Sequence, residues 1–204
     1  MKRLLLILIF MFSFQSLSKA DDITDFQIEG ISIGDSLLDY FTNKQVKKFA
    51  KITYDNANDK KFHKLEITDD SLSSRFKEYD SVAFYIKKND KNYIIQSIIG
   101  IIFFENKIKD CLKKKNKIVS QISLNLNTIF DNGKYTASFD KNTEYHQSET
   151  SIGSDVVSIT CYDWSVKLQK KNNWVDNLSV ELYKNEVVIF IRNNSWLNNQ
   201  PQDS

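Results

Sequence analysis

The sequence predicts an α+β fold: an antiparallel sheet built from hairpins, with helices packed on one face and two helix–hairpin halves in succession. Three observations predict it. Apolar residues alternate at Val82, Phe84 and Ile86, turn residues fill 88–92, and residues 93–104 are almost continuously apolar, which describes a hairpin with a buried second strand. Next, Ile108, Cys111, Leu112, Ile118, Val119, Ile122 and Leu126 fall within an arc of about 120° at helical spacing, so residues 107–126 form a helix that lies on something apolar. Finally, the second half offers a strand around Val157, Ile159 and Cys161 and a hairpin in which 178–182 meets 187–191. Helix-then-hairpin order gives an antiparallel sheet covered on one side. A doubly wound parallel sheet would need strands and helices alternating singly.

At the N-terminus, Lys2 and Arg3 precede an apolar run from Leu4 to Phe14, followed by a polar stretch ending in Ser18, Lys19 and Ala20. That is the layout of a secretory signal, with cleavage expected after Ala20. The run is shorter than the roughly 20 residues a bilayer-spanning helix needs, so no transmembrane span is expected after cleavage. The expected organisation is a signal peptide at 1–20, one α+β domain at 21–192 and a polar tail at 193–204.

Removing residues 1–20 takes Lys2, Arg3 and Lys19 from the 28 basic residues and nothing from the 26 acidic ones, so net charge moves from +2 to −1. A near-neutral exported chain lacks the electrostatic footprint of a nucleic-acid binder. The expected location is periplasmic or secreted. Five glycines and one proline, Pro201 in the tail, leave no low-complexity linker.

Along the mature chain, Phe26 and Ile28 alternate up to Gly30, and Ile31 and Ile33 lead to Gly34. Asp35 or Ser36 can cap the turn that carries Leu37, Leu38 and Phe41. Thr42 and Gln45 have capping-box spacing ahead of a short helix with Val46 and Phe49. Residues 55–61 form a charged connection, Leu65 and Ile67 a strand, and 69–75 a loop.

Cys111 and Cys161, the only cysteines, each face the expected core. In an oxidising compartment two thiols facing one core are expected to join, here across a 50-residue separation. Two buried thiols are the alternative.

Gly34-Asp35-Ser36-Leu37 spells the signature of the GDSL esterases, in which the serine is the nucleophile; that resemblance makes Ser36 the candidate nucleophile. A serine nucleophile needs a base, supplied in that family by a late Asp-x-x-His. Lys60 and Thr143 stand three residues before His63 and His146, so neither histidine fits, and capping accounts for Asp35 and Ser36. No catalytic residue is therefore assigned.

Asp55, Asp59 and Glu66 have part of a calcium-loop spacing, but Ala57 and Lys60 occupy its third and sixth positions. No paired-cysteine or His-Glu-x-x-His pattern suggests a transition metal, no glycine-rich loop could cradle phosphate, and no cofactor is implied. Lys113, Lys114, Lys115 and Lys117 form the densest basic run, read as a solvated helix face rather than a contact for anionic polymers. Trp164, Trp174 and Trp196 either line a binding surface or pack in the core or its rim, and their spacing does not separate the two.

The segment from Gly30 to Phe41, residues 100–104, Lys109-Asp110-Cys111 and Cys161-Tyr162-Asp163-Trp164-Ser165 resemble a group of small exported proteins of A+T-rich marine bacteria. That resemblance implies the cysteine pair and the architecture and carries no catalytic residue. In architecture the chain is similar, more loosely, to periplasmic modules of the BamE and β-lactamase-inhibitor type, which bind other proteins. The first resemblance says nothing of function; the export signal, the stapled α+β core and the lack of a complete catalytic set lead to the expectation of a non-catalytic binding or assembly module whose partner is another envelope protein or a cell-envelope polymer.

Overall fold

The computed structural model describes residues 22–49, 61–67, 75–105 and 107–194. The expected signal at 1–20 with Ala20, most of 55–61 and 69–75, and residues 195–204 lie outside them.

After a 3-10 turn at Ile23–Asp25, β1 (Gln27–Ile28) and β2 (Ile31–Ser32) form a small antiparallel hairpin. Glu29 and Gly30 take φ of 55° and 78° in its two-residue turn, the left-handed geometry that suits the twist of a tight hairpin. Glu29 Oε1 then accepts from the backbone N–H groups of Lys77, Glu78 and Tyr79 at 2.8, 2.6 and 3.2 Å. One carboxylate thus ties the hairpin to the backbone of residues 77–79. The expected capping box stands at the head of α1 (Asn43–Phe49): Thr42 N donates to Gln45 Oε1 at 2.8 Å, and Gln45 N donates to Thr42 Oγ1 at 3.4 Å.

The main sheet begins with a meander of β3 (Phe62–Ile67), β4 (Ser81–Lys87) and β5 (Ile95–Phe103). Helix α2 (Ile108–Leu126) carries the chain to the far edge, where β6 (Asp131–Ala137), β7 (Asp140–Ile152) and β8 (Asp155–Asp163) form a second meander. After α3 (Val166–Asn172), β9 (Asn177–Tyr183) inserts between the two meanders, and α4 (Asn185–Asn194) follows. The order is β3-β4-β5-β9-β8-β7-β6, antiparallel at every pairing. The fold is α+β with an antiparallel sheet, as expected.

One sheet face carries the larger core. Val82, Phe84, Ile98, Val157, Ile159, Leu178 and Val180 pack there beneath the N-terminal hairpin, α1 and the apolar stripe of α2. Cys111 of α2 and Cys161 of β8 are joined by a disulfide inside this core, both fully buried. Gly100 has its place here: a Cβ would stand 2.5 Å from the Tyr79 ring, which lies flat over the strand.

Three expectations change. Residues 187–191 belong to helix α4 and not to a strand, because both edges of β9 are already paired, to β5 and β8, and no room is left for a hairpin partner. Val187 and Val188 instead pack on the opposite sheet face against Phe62, Ala83, Ile99 and Val156, so helices cover parts of both faces. Helix α4 runs to Asn194, taking in the first two residues of the expected tail at 193–204. Finally, β6, β7 and α3 were not legible as elements. The two strands carry mostly polar residues, and they pair by register with a partner the sequence does not name.

Candidate functional site

Ser36 is the N-cap of a 3-10 turn at Leu37–Asp39. Its hydroxyl donates to Asn92 O at 2.6 Å and accepts from Leu38 N at 3.1 Å. The neighbouring Asp35 Oδ2 accepts from Ser32 N and from the Tyr40 hydroxyl, at 2.9 and 2.5 Å, which pushes the Tyr40 phenol up to about 12. The Ser36 hydroxyl is therefore used to hold backbone and the Asp35 carboxylate to hold Ser32 and Tyr40, and among the described residues no histidine or lysine bonds Ser36.

The basic run is not uniformly solvated. Lys113 and Lys117 are exposed and Lys114 pairs with Glu78 at 3.6 Å, but Lys115, one turn beyond Cys111, is only 5% exposed. Its ammonium donates to Ser148 Oγ, and Ser148 donates to Asn132 Oδ1. Burial pulls the Lys115 amine below its ordinary value; burial, then Lys134, does the same to nearby His146. A lysine bonded to a serine could in principle activate it. Ser148 is fully buried between α2 and β7, however, so no substrate can reach it.

The remaining chemistry lies on the sheet face that α4 only partly covers. Strand register orders it into rows running across the strands. Nearest α4 come Tyr85, Tyr183 and Val156; next a row of Glu66, Ala83, Ile99, Glu181, Ser158, Glu149 and Asp131, acidic at its ends and centre; then Ser81, Ser179, Thr160 and Gln147. Farthest out, Tyr135, Tyr145, Tyr162, Asn177 and Phe103 are successive cross-strand partners on β6, β7, β8, β9 and β5.

The rings of the outer row contact one another. Tyr135 and Tyr145 stack at 5.2 Å between centroids, and Tyr145 and Tyr162 stand 6.0 Å apart. Tyr162 stacks on Trp164 at 5.2 Å with planes 8° apart, and Trp164 meets Trp174 at 4.6 Å. Tyr135 and Phe103, at the two ends of the row, are 48% and 47% exposed, while Tyr145, Tyr162, Trp164 and Trp174 are half-buried. Gly133 makes room for the Tyr135 ring, which folds back over it. An open depression of about 420 Å³ adjoins the Phe103 end, lined by Asp80, Phe104, Glu105, Lys107 and Asp110.

Buried polar groups fix this corner. Asp176 accepts from Trp164 N at 3.1 Å and Gln169 Nε2 at 3.2 Å, and Gln169 Nε2 also donates to Trp164 O at 2.7 Å. Asp140 accepts from Ser165 Oγ, from Thr143 Oγ1 at 2.9 Å and from Asn142 N at 3.1 Å, while Ser165 caps α3. Burial raises the Asp140 carboxyl, but these bonds and Lys167 together hold it below the usual carboxylate range.

In the acidic row, burial pushes the Glu181 carboxyl up, against the bonds from Ser179, at 2.6 Å, and Tyr183 that favour its charge. Burial first, then the Glu181 charge, pushes the phenols of Tyr85, Tyr162 and Tyr183 up as well. Gln147 Nε2 donates to Ser158 Oγ at 3.0 Å and Glu149 Oε2 at 3.2 Å, and Arg192 of α4 pairs with Glu149 at 3.2 Å. What these rows offer is aromatic surface, exposed at Tyr135 and Phe103, beside amide, hydroxyl and carboxylate groups bonded to one another.

Of the tryptophans weighed from sequence, Trp164 and Trp174 extend the aromatic row, and Trp196 lies outside the described residues. The tyrosines and Phe103 were missed, because only the register sets them side by side. In the calcium spacing, Glu66 is a β3 residue bound to Lys64 at 3.5 Å, and Asp55 and Asp59 lie outside the described residues. Among the described residues, no three His, Cys, Asp or Glu side chains converge as a metal site, and no helix is long and apolar enough to cross a membrane.

The fold and this face define a disulfide-linked α+β protein with an aromatic and polar sheet surface. Comparison with protein-family models, with curated proteins and with solved structures finds no match to the chain.

Proposed function

We propose that this is an exported, non-catalytic binding module that engages a component of the cell envelope through its open sheet face. The observation that carries the reading is the cross-strand row Tyr135, Tyr145, Tyr162 and Phe103, aromatic surface that is half exposed at its two ends, Tyr135 and Phe103, on the sheet face that α4 covers only in part. Aromatic side chains combine large apolar area with few rotatable bonds, so they contribute strongly to recognition surfaces.

Export is supported by the charged, apolar and small-residue pattern of residues 1–20 and by a disulfide that persists in oxidising compartments. The likeness to BamE-type and β-lactamase-inhibitor-type periplasmic modules, and to small exported proteins of marine bacteria, belongs to the same proposal.

The test is site-specific photo-crosslinking in the native envelope, with a photoreactive residue at Tyr135 or Phe103 and, as control, at the exposed Lys113 of α2. Adducts at the first two positions and none at the third are expected. Equal labelling at all three, or none at Tyr135 and Phe103, overturns the reading. An N-terminal sequence beginning at Asp21 in the exported material checks the cleavage after Ala20.

A further inference from the structure

We infer that the rings of Trp174, Trp164, Tyr162, Tyr145 and Tyr135 form a relay, carrying the electron vacancy left by a diffusible one-electron oxidant from the tryptophan pair to Tyr135 at the surface. This inference is independent of the binding reading above. From Tyr135 inward the ring centroids follow one another at 5.2, 6.0, 5.2 and 4.6 Å. The tyrosine faces are turned towards one another and towards Trp164, which is the contact that passing an electron from ring to ring requires.

The identity of the rings separates a relay from simple packing. Phenylalanine is the commonest aromatic residue of the chain, 14 against 9 tyrosines and 3 tryptophans, and it supplies apolar area and edge contacts equally well. Ring pairs elsewhere use it: Phe41 meets Phe49 and Phe84, and Phe190 meets Phe62 and Tyr85. The five-ring chain contains none, and Phe103, in the same row, is set apart from Tyr162 by Asn177. Phenol and indole are the aromatic side chains that give up an electron to mild oxidants.

Burial gives the relay its direction. Trp164 Nε1 is buried without a hydrogen-bond partner among the described residues, so an oxidised Trp164 has no neighbour to take its proton. Burial pushes the phenols of Tyr162 and Tyr145 up, so they too keep their protons and the vacancy does not settle on them. Tyr135 is 48% exposed, and water can take its proton. In balance, the oxidant gains one electron from Trp174 or Trp164, Tyr162 and Tyr145 pass the vacancy outward, and Tyr135 supplies the electron and releases its phenolic proton to solvent. Two Tyr135 phenoxyl radicals on separate molecules then join by one carbon–carbon bond, and the ring proton at each bonded carbon moves to a phenolic oxygen.

The test is pulse radiolysis of the mature, disulfide-bonded protein carrying Trp196→Phe, with azide radicals, which oxidise indole faster than phenol at neutral pH. The tryptophanyl absorption should give way to the tyrosyl absorption in a first-order step whose rate is independent of protein concentration. Peptide mapping should then place dityrosine at Tyr135, and Tyr135→Phe should abolish it. Tyr145→Phe and Tyr162→Phe keep the ring and remove the phenol. Each should lose the dityrosine at Tyr135 while its melting temperature stays near that of the parent. Trp164→Phe breaks the chain at a further point should either variant unfold. A tryptophanyl radical that decays only by concentration-dependent reaction, cross-links at another tyrosine, or dityrosine at Tyr135 that persists when a link is replaced overturns the inference.

Discussion

Lys115 Nζ donates to Ser148 Oγ in the interior between α2 and β7, and no described carboxylate pairs with that ammonium. A buried charge held by neutral groups costs stability, because desolvation is only partly offset by the hydrogen bonds. Replacing Lys115 by Met, which fills a similar volume without charge, should stabilise the protein by about 1–2 kcal/mol at neutral pH. The native-state value of Lys115 is depressed, so below the ordinary lysine range the unfolded chain binds the extra proton and wild-type stability rises with pH. Urea melts should therefore show the gain of Lys115→Met shrinking towards about pH 10. A destabilised Lys115→Met variant would show that the amine is needed.

Glu181 carries the opposite sign in chemistry and the same logic. Its carboxyl is raised by burial among Ser179, Tyr183, Tyr85 and Tyr162. Above the unfolded value the native state keeps the proton that the unfolded chain releases, so stability falls as pH rises through that window. Glu181→Gln should melt close to wild type in acid and higher than wild type at neutral pH. Thermal melts from about pH 4 to 7 test this, and a gap that does not widen with pH refutes it.

The Cys111–Cys161 bond closes a loop of 50 residues and links α2 to β8. On the chain-entropy estimate such a loop contributes about 4 kcal/mol. The double variant Cys111→Ala with Cys161→Ala should lose that order of stability in urea unfolding. Loss of less than about 1 kcal/mol would mean that the helix is held by its apolar stripe alone.

Gly100 and Tyr79 should be energetically coupled. Gly100→Ala sets a methyl group against the Tyr79 ring and is expected to cost about 1–3 kcal/mol. Tyr79→Ala costs stability by itself, but the double variant with Gly100→Ala should lose less than the two single losses added together. Additive losses in a double-mutant cycle would show that the ring can move aside freely.

Where local pattern carries the information, the fold was legible. Val82, Phe84 and Ile86 recur at every second position because that face of β4 meets the larger core, and the stripe from Ile108 to Leu126 recurs because one side of α2 rests on the sheet. The pairing of Cys111 with Cys161 followed from two inward-facing thiols. Even there the stripe hid Lys115, which sits at an apolar position but was grouped with its charged neighbours. Residues 187–191 show the limit: a short β-branched run fits either element, and the absence of a free β9 edge decided for helix.

The chain by itself determined which stretches turn an apolar side inward, since that depends on residues a few positions apart. Only the tertiary structure decided that β9 enters between two meanders and that Tyr135, Tyr145, Tyr162 and Phe103 fall in one row. Register and strand order arise from contacts between distant segments, and a shift of one residue would turn each of those rings to the other side of the sheet.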